Sequence, residues 1–450
     1  MTWKPRLLRP AAFVLLVLLL AGPGKSADKP SAERGRAALL QQAFSPSILS
    51  EKEFGQLWKV WGLKQKPADY ERLLRERYGL HVAPYDNRRL PMGFRESRGL
   101  FGKGLTNDCL LCHAGSIAGQ SYIGVPNTSL DLQGLFDDLF VAAGFTDKLP
   151  LTFSNVRGTI EAVASVAYLM EFRDADLNVH LQQKMGYRCD LCEDIPAWWH
   201  LKKKKTMYHT GSVDSRSVRS IMTFMLSPLN TAAYIKKQEP VFADIRAYLL
   251  TLVPPKYPFP IDASLAARGK DLFAANCAKC HGTYGPGGVY PNKVIPLDII
   301  GTDRSLAEGY TPRAAEHYLK SWFAQEKDQG GEPYLTYTDG YQCPPLDGIW
   351  ATAPYFHNAS AATVYHVLNS RARPKIFTRS YRTEKDDYDT SKLGWKIQVL
   401  EKPPDASVPP AERRKIYDTT QPGRSNNGHP FGDKLTDPER FAIIEYLKTL

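Results

Sequence analysis

Apolar residues recur at helical spacing near both ends of each half of the chain, whereas the alternation of apolar and polar residues typical of a strand is scarce. The two clearest helices end at Leu252, in FADIRAYLLTL, and at Leu450, in FAIIEYLKTL. Glycine and proline number 33 each, which indicates long loops between the helices. The pattern therefore predicts a mainly α protein with long irregular loops.

A proline-rich stretch, VPPKYPFPIDAS from Val253 to Ser264, interrupts the chain near its middle. A chain of 450 residues can form two domains with separate cores. Aligned on their tyrosines, the helix before this stretch and the helix at the end of the chain both read Ile-x-x-Tyr-Leu-x-Thr-Leu. We expect a duplicated unit, with domains at residues 27–255 and 261–450. A chance likeness between two amphipathic helices is the alternative.

The N-terminus has the features of an export signal. Lys4, Arg6 and Arg9 precede an apolar run from Ala11 to Ala21, and small residues follow it. This run is too short to span a bilayer comfortably. We predict a signal peptide at residues 1–26 and a mature protein in the periplasm or outside the cell, without a transmembrane segment. An uncleaved membrane anchor is the alternative.

The formal net charge is +11, but the leader contributes several of its cations. The run Lys202–Lys205 can dock an acidic redox partner or a polyanion, and a solvated loop or helix face is the alternative. No nucleic-acid motif accompanies the run. We therefore expect a redox partner protein or a small-molecule oxidant, and no nucleic acid.

The candidate chemistry lies in two C-x-x-C-H motifs, CLLCH at residues 109–113 and CAKCH at residues 277–281. This spacing places two thiols one helical turn apart, where they can add to the two vinyl groups of a haem. The histidine then lies under the iron. We predict two covalently bound haem c groups, with the attachment and proximal residues Cys109, Cys112 and His113 for the first and Cys277, Cys280 and His281 for the second.

The helix before the second motif resembles that of a class I cytochrome c. Leu265, Gly269, Leu272 and Phe273 share one helical face that leads into the motif. Gly269 has no Cβ and lets another helix approach closely, and Tyr446 matches the tyrosine of the C-terminal helix that crosses there in class I cytochromes. The approach to the first motif, RGLFGKGLTND, lacks this spacing, so the first domain departs from the small-cytochrome pattern.

Three cysteines lie outside the two motifs. Cys189 and Cys192 form CDLCE, which has no following histidine, since the next is His200. In an oxidising compartment we expect a local disulfide between them. Cys343 is then unpaired, and we expect it to be buried.

The sixth ligand of the second haem is sought among histidines, because no methionine follows Met225. Ligands of class I cytochromes come from the loop just before the last helix, and His429 in SNNGHPFG has that position. We favour His429, which makes this haem bis-histidine. A solvent-exposed loop histidine is the alternative. The other candidates are His317, His357 and His366.

The stretch that corresponds to this loop in the first half holds no histidine. Met222 and Met225 lie nearby on an apolar run and are more typical of a core than of ligands. The first haem therefore has no evident sixth ligand, and an open position on iron can bind oxygen or peroxide. The remaining candidates in this half are His180, His200 and His209.

Several stretches together resemble the di-haem cytochrome group that includes bacterial rubber oxygenases and is related to MauG-type enzymes and di-haem cytochrome c peroxidases. In chain order they are LPMGF (90–94), CLLCHAG (109–115), GVPNTSLDL (124–132), PAWWHLKKK (196–204), PPLDGIWATAPYFHNAS (344–360) and SNNGH (425–429).

The resemblance implies a catalytic first haem and a six-coordinate second haem that stores or transfers electrons. His429 matches the histidine ligand of rubber oxygenase, with His357 as the rival and Tyr355 as a third candidate. Trp198 and Trp199 are implied as a conduit between the haems, and an ordinary core role is their alternative. The sequence thus predicts two cytochrome c-like haem domains in an exported oxidoreductase of dioxygenase or peroxidase type. A non-catalytic electron-transfer cytochrome is the alternative.

Overall fold

The computed structural model describes residues 29–99, 102–145 and 151–450, so the signal peptide expected at residues 1–26 lies outside the described residues. Helix accounts for about 35% and strand for 13% of the structure. The α-helices described are α1 (Ala32–Gln41), α2 (Glu51–Phe54), α3 (Leu57–Val60), α4 (Tyr70–Tyr78), α5 (Leu110–His113), α6 (Leu132–Ala142), α7 (Ala162–Met170), α8 (Ala232–Lys237), α9 (Glu239–Leu249), α10 (Ala263–Asn276), α11 (Ala278–His281), α12 (Leu297–Ile300), α13 (Pro312–Lys320), α14 (Val364–Leu368), α15 (Pro410–Arg413) and α16 (Asp437–Leu447).

Short antiparallel strands lie between these helices. Their pairing order is β1–β2, β3–β4, β5–β6, β7–β8, β10–β11 and β12–β9–β13. The expectation of a mainly α protein is therefore only partly right, because helix and strand are mixed. The strands are β1 (Phe94–Gly99), β2 (Gly102–Asn107), β3 (Ala114–Ile117), β4 (Gln120–Ile123), β5 (Thr206–Met207), β6 (Val213–Asp214), β7 (Val294–Pro296), β8 (Gly340–Gln342), β9 (Ile376–Thr378), β10 (Tyr388–Asp389), β11 (Gly394–Trp395), β12 (Gln398–Val399) and β13 (Ile416–Asp418).

The expected helix crossing in the second half is present between α10 and α16. A Cβ on Gly269 would lie 1.8 Å from the carbonyl oxygen of Ala442, so only glycine permits this approach. Phe273 and Tyr446 pack beside the crossing with ring centroids 5.4 Å apart. Because α10 ends directly before Cys277, this contact also fixes where the second motif begins.

The first half contains the same crossing, between α1 and α9. A Cβ on Gly35 would lie 1.9 Å from the carbonyl oxygen of Asp244. When the repeated helices are aligned on Tyr248 and Tyr446, Asp244 coincides with Ala442. The first half therefore has its own glycine helix, but that helix is far upstream of Cys109 and not directly before it.

The proline-rich stretch lies between α9 and α10. Each of the two large apolar clusters contains residues from both sides of it. The cluster around the second crossing includes Trp199 from the first half, and the cluster around the first crossing includes Phe323 from the second half. The two halves therefore pack together, and the domain limits at 255 and 261 stay a prediction. Among the described residues, no helix is long and apolar enough to cross a membrane.

We predict that Gly269→Ala lowers the free energy of unfolding by about 1–3 kcal/mol, since the new methyl group overlaps a backbone carbonyl that cannot move without displacing α16. Gly35→Ala should act likewise on α1 and α9. Chemical denaturation monitored by circular dichroism measures the change. Lys270→Ala, at an exposed position on the same helix, is the control. Equal stability of the Gly269 and Lys270 variants would contradict the close crossing.

Candidate haem sites

The second motif forms a single helical turn on the wall of a cavity of about 590 Å³. Cys277 and Cys280 both line this cavity. The Nδ1 atom of His281 lies 2.9 Å from the carbonyl oxygen of Pro344, which assigns the proton to Nδ1. The Nε2 atom is then left free to bind iron. Loss of water around the ring lowers the pKa of His281 and favours the neutral imidazole that a metal requires.

His429 lines the same cavity, and its ring centroid lies 6.3 Å from that of His281. Bonds between a metal and imidazole nitrogen are about 2.0–2.1 Å long, so two imidazoles on opposite sides of one metal have centroids about 6 Å apart. The separation of the two rings therefore fits a bis-histidine haem iron.

The loop that carries His429 is held at several points. The backbone N–H of His429 donates to the carbonyl of Ile300 at 2.7 Å. Arg373 donates to the carbonyls of Asn426 and Gly428 at 2.6 and 2.7 Å. Arg373 is thus a positioning residue that the sequence analysis did not identify, because an arginine that binds backbone carbonyls leaves no motif.

The cavity walls suit a porphyrin, since apolar side chains make up most of the lining. Burial raises the pKa of the Cys277 thiol to about 12, which keeps it protonated until it is consumed by attachment. The residues present therefore fit a haem c at this site. Apolar lining residues include Phe273, Ile349, Val364, Leu368 and Ile443.

The rival ligands in the second half have other surroundings. His357 lines the cavity, but its ring stacks on Tyr341 with centroids 3.9 Å apart. The hydroxyl of Tyr355 donates to backbone carbonyls at 3.1 and 3.2 Å. His317 contacts carbonyls of the first half, and His366 pairs with a threonine hydroxyl. Of these candidates, His429 is the one whose ring faces His281 at the separation that a shared iron requires.

An ion pair between Arg95 and Asp108 holds the start of the first motif in position. Asp108 accepts a hydrogen bond from the N–H of Leu110 at 2.8 Å and caps the helical turn that carries the motif. Arg95 donates to Asp108 at 2.7 Å and also to the carbonyls of Leu39 and Leu40 at the end of α1. Arg95 and Asp108 are both buried. This link joins α1 to the motif, although the two are far apart in sequence.

His113 repeats the arrangement of the second site. Its Nδ1 atom lies 3.2 Å from the carbonyl oxygen of Pro196, so Nε2 is again left free. Burial lowers the pKa of His113 to about 4, which keeps the imidazole neutral. The ring stacks on Trp198, with centroids 4.9 Å apart and planes at 19°. Both proximal histidines are therefore oriented by a proline carbonyl.

Two of the first-half histidine candidates, His200 and His209, line the second cavity. His200 contacts Asp347 and His209 contacts Asp194, both at 2.9 Å, while His180 contacts the next residue, Leu181. Met222 and Met225 are fully buried in the apolar cluster against which Cys109 packs.

One segment lies between the two sites. Pro196 accepts the hydrogen bond from His113, and both Pro196 and Ala197 line the second cavity. Trp198 contacts His113, while the indole N–H of Trp199 donates to the carbonyl of Asp347 at 2.7 Å. The two tryptophans therefore lie on opposite sides of the same short stretch.

The remaining cysteines bring one correction. The expected disulfide between Cys189 and Cys192 is absent, since both are free thiols. The thiol of Cys192 instead lies 3.4 Å from the hydroxyl of Thr159 and 4.0 Å from that of Tyr417. Cys343 is buried, as predicted, and its thiol contacts Cys280.

Comparisons with known proteins identify cytochrome c-like sequence. Residues 340–378 match the family described as RoxA-like, cytochrome c-like, and residues 264–322 match the family described as cytochrome C oxidase, cbb3-type, subunit III. The resemblance to the rubber oxygenase group is thereby confirmed. Cytochrome c sequence of this kind implies covalently bound haem c.

Two curated relatives come from Sinorhizobium fredii (strain NBRC 101917 / NGR234) and are described as uncharacterized proteins y4iM and y4iJ. The first is 29% identical over 57% of this chain and 64% of its own length. The second is 29% identical over 44% of this chain and 41% of its own length. The chain thus spans less than two thirds of either relative.

Two solved structures align with part of this chain at low TM-scores. One is a MauG-like protein associated with microbial copper homeostasis, at 17% identity, covering 68% of this chain and 95% of that protein, with a TM-score of 0.31. The other is the hydrazine synthase of Kuenenia stuttgartiensis, at 13% identity and the same coverages, with a TM-score of 0.24.

We predict that His429→Ala converts the second haem from low-spin to high-spin, because the ring opposite His281 is lost. His357→Ala should leave that haem low-spin. Electron paramagnetic resonance of the oxidised protein distinguishes the two variants. A high-spin signal in the His357 variant, with the His429 variant unchanged, would assign the ligand to His357.

Proposed function

We propose that this chain, which carries RoxA-like cytochrome c sequence, is an exported di-haem oxidoreductase. In this proposal the haem at His113 reacts with oxygen or peroxide, and the haem at His281 stores or transfers electrons. The observation that supports it is the inequality of the two sites. His281 faces a second imidazole across its cavity, whereas the ring in contact with His113 is the indole of Trp198, and His200 and His209 line the second cavity instead.

A haem iron exchanges single electrons, and it binds small oxidants only where a coordination position is open. At the second site, His429 would close that position, and the apolar walls would exclude water from the ring pair. Such a site suits electron storage. At the first site, the Pro196 carbonyl holds the proton of His113 on Nδ1, which orients the ring and makes Nε2 a better donor to iron.

The segment Pro196–Trp199 would couple the two sites. The carbonyl oxygen of Pro196 and the indole ring of Trp198 contact His113, while Pro196 and Ala197 line the second cavity. Electrons held at the second haem would therefore have a short route, through packed groups, to the reactive one. A redox partner protein or a small-molecule oxidant is the partner in this proposal.

A second candidate function, electron carriage without catalysis, is favoured by one specific observation. The apolar cluster against which Cys109 packs contains four buried methionines: Met92, Met170, Met222 and Met225. A thioether from this cluster bound to the first iron would close it and leave an electron carrier.

Carbon monoxide binding to the reduced, haem-loaded full chain separates the two functions. If the first haem is open, one haem of two should bind carbon monoxide while the other keeps its low-spin spectrum. If the first haem has a methionine ligand, neither haem should bind it. Replacing the ligating methionine by leucine should then open the site, with Met222 and Met225 as the expected ligands, whereas leucine at each of the other methionines of the cluster is a volume-matched control. A peptide mass map of the same sample counts the attached haems.

A further inference from the structure

The four consecutive lysines at residues 202–205 have different surroundings. Lys203 forms an ion pair with Asp347, with 2.6 Å between Nζ and Oδ1. Lys204 points inward and lines the second cavity. Its Nζ atom lies 3.5 Å from the carbonyl oxygen of Tyr208, and no carboxylate among the described residues pairs with it. The run is therefore not a uniform solvated face.

Lys204 is half-buried, and an ammonium group that loses part of its water without gaining a counter-charge is destabilised. This cost is reflected in the pKa of Lys204, which burial lowers to about 8. The simplest relief is an anion in the cavity that the side chain lines. Lysine binds such an anion as a point charge, without the fixed geometry of arginine.

Other polar groups of the same cavity also lack partners. The hydroxyl of Thr302 and the Nε2 atom of His357 are buried without a hydrogen bond, and both residues line the cavity. An oxygen of Asp194 and one of Gln342 in the same lining also lack partners, but these atoms are acceptors. The hydroxyl of Thr302 and the ring of His357 can donate a hydrogen bond to an anion. His209, whose pKa burial and, to a smaller extent, the charge of Lys204 lower, lies with its ring centroid 6.5 Å from that of His357. Through His209, these contacts connect the partnerless ring of His357 with Lys204.

We propose that Lys204 binds a carboxylate of the haem attached at Cys277 and Cys280. A haem carries two propionate groups, and most of the cavity lining is apolar, with Lys204, Lys279 and Lys293 as its lysines. Of these three, Lys204 is the one accompanied by His357 through His209. Thr302 and His357 supply further hydrogen bonds to the carboxylates. The inference rests on the proposed presence of the second haem.

The test compares Lys204→Met with Lys204→Arg and Lys203→Met in the haem-loaded full chain. Loss of a buried cation near the haem disfavours the reduced state, because reduction adds a negative charge. We expect Lys204→Met to lower the reduction equilibrium constant of the bis-histidine haem about tenfold. Lys204→Arg should retain most of the wild-type value, and Lys203→Met should match it, since Lys203 is paired outside the cavity. Spectroelectrochemical titration measures each constant.

Resonance Raman spectra give a second reading, because the propionate bending bands shift when a propionate loses its partner. If neither the propionate bands nor the reduction equilibrium constant changes in Lys204→Met, the inference about Lys204 is overturned. If chloride or acetate shifts the wild-type constant and this response is lost in Lys204→Met, Lys204 binds a free anion and the propionate assignment is wrong. Absence of haem at Cys277 and Cys280 in the mass map would instead refute the proposed function.

Discussion

The placement of both haem motifs depends on helices that touch backbone to backbone at a glycine. Gly269 brings α10 against the carbonyl of Ala442, and Gly35 brings α1 against the carbonyl of Asp244, at positions equivalent in the repeated helices. In the second half the glycine helix continues directly into Cys277. In the first half, residues 42–108 lie between the end of the glycine helix and Cys109. Arg95 links the two by donating hydrogen bonds both to the end of α1 and to Asp108. The buried Arg95–Asp108 ion pair therefore positions the first motif relative to its glycine helix, whereas in the second half the helix and the motif are continuous in the chain.

Much of the second half followed from the sequence, because its signals are local. The glycine and phenylalanine of α10, the tyrosine of α16 and the burial of Cys343 could be inferred from spacing and composition. The glycine helix of the first half was not predicted, because the class I cytochrome pattern has this helix directly before the C-x-x-C-H motif. Its signal was available at Gly35 and Leu39, which repeat the spacing of Gly269 and Phe273.

Other features depend on contacts between distant parts of the chain, which no local pattern records. A C-x-x-C spacing indicated a disulfide, but the thiol of Cys192 is directed to Thr159 and Tyr417, which no spacing could reveal. Strands of two or three residues are too short to show an alternating pattern, so the hairpins were not predicted. The different surroundings of Lys203 and Lys204 likewise arise from Asp347 and the cavity, not from the lysine run itself.

The same hydrogen bond from a proximal histidine to a proline carbonyl serves both sites, so the difference between them must arise elsewhere. At the second site the partner across the cavity is the imidazole of His429. At the first, the proline belongs to a segment whose other end is fixed by Asp347, which accepts hydrogen bonds from Trp199 and His200. The orientation of His113 is therefore tied to the wall of the second cavity. A change in that wall would reach His113 through one short stretch of backbone, which is the coupling that the proposed division between a reactive and a storage haem calls for.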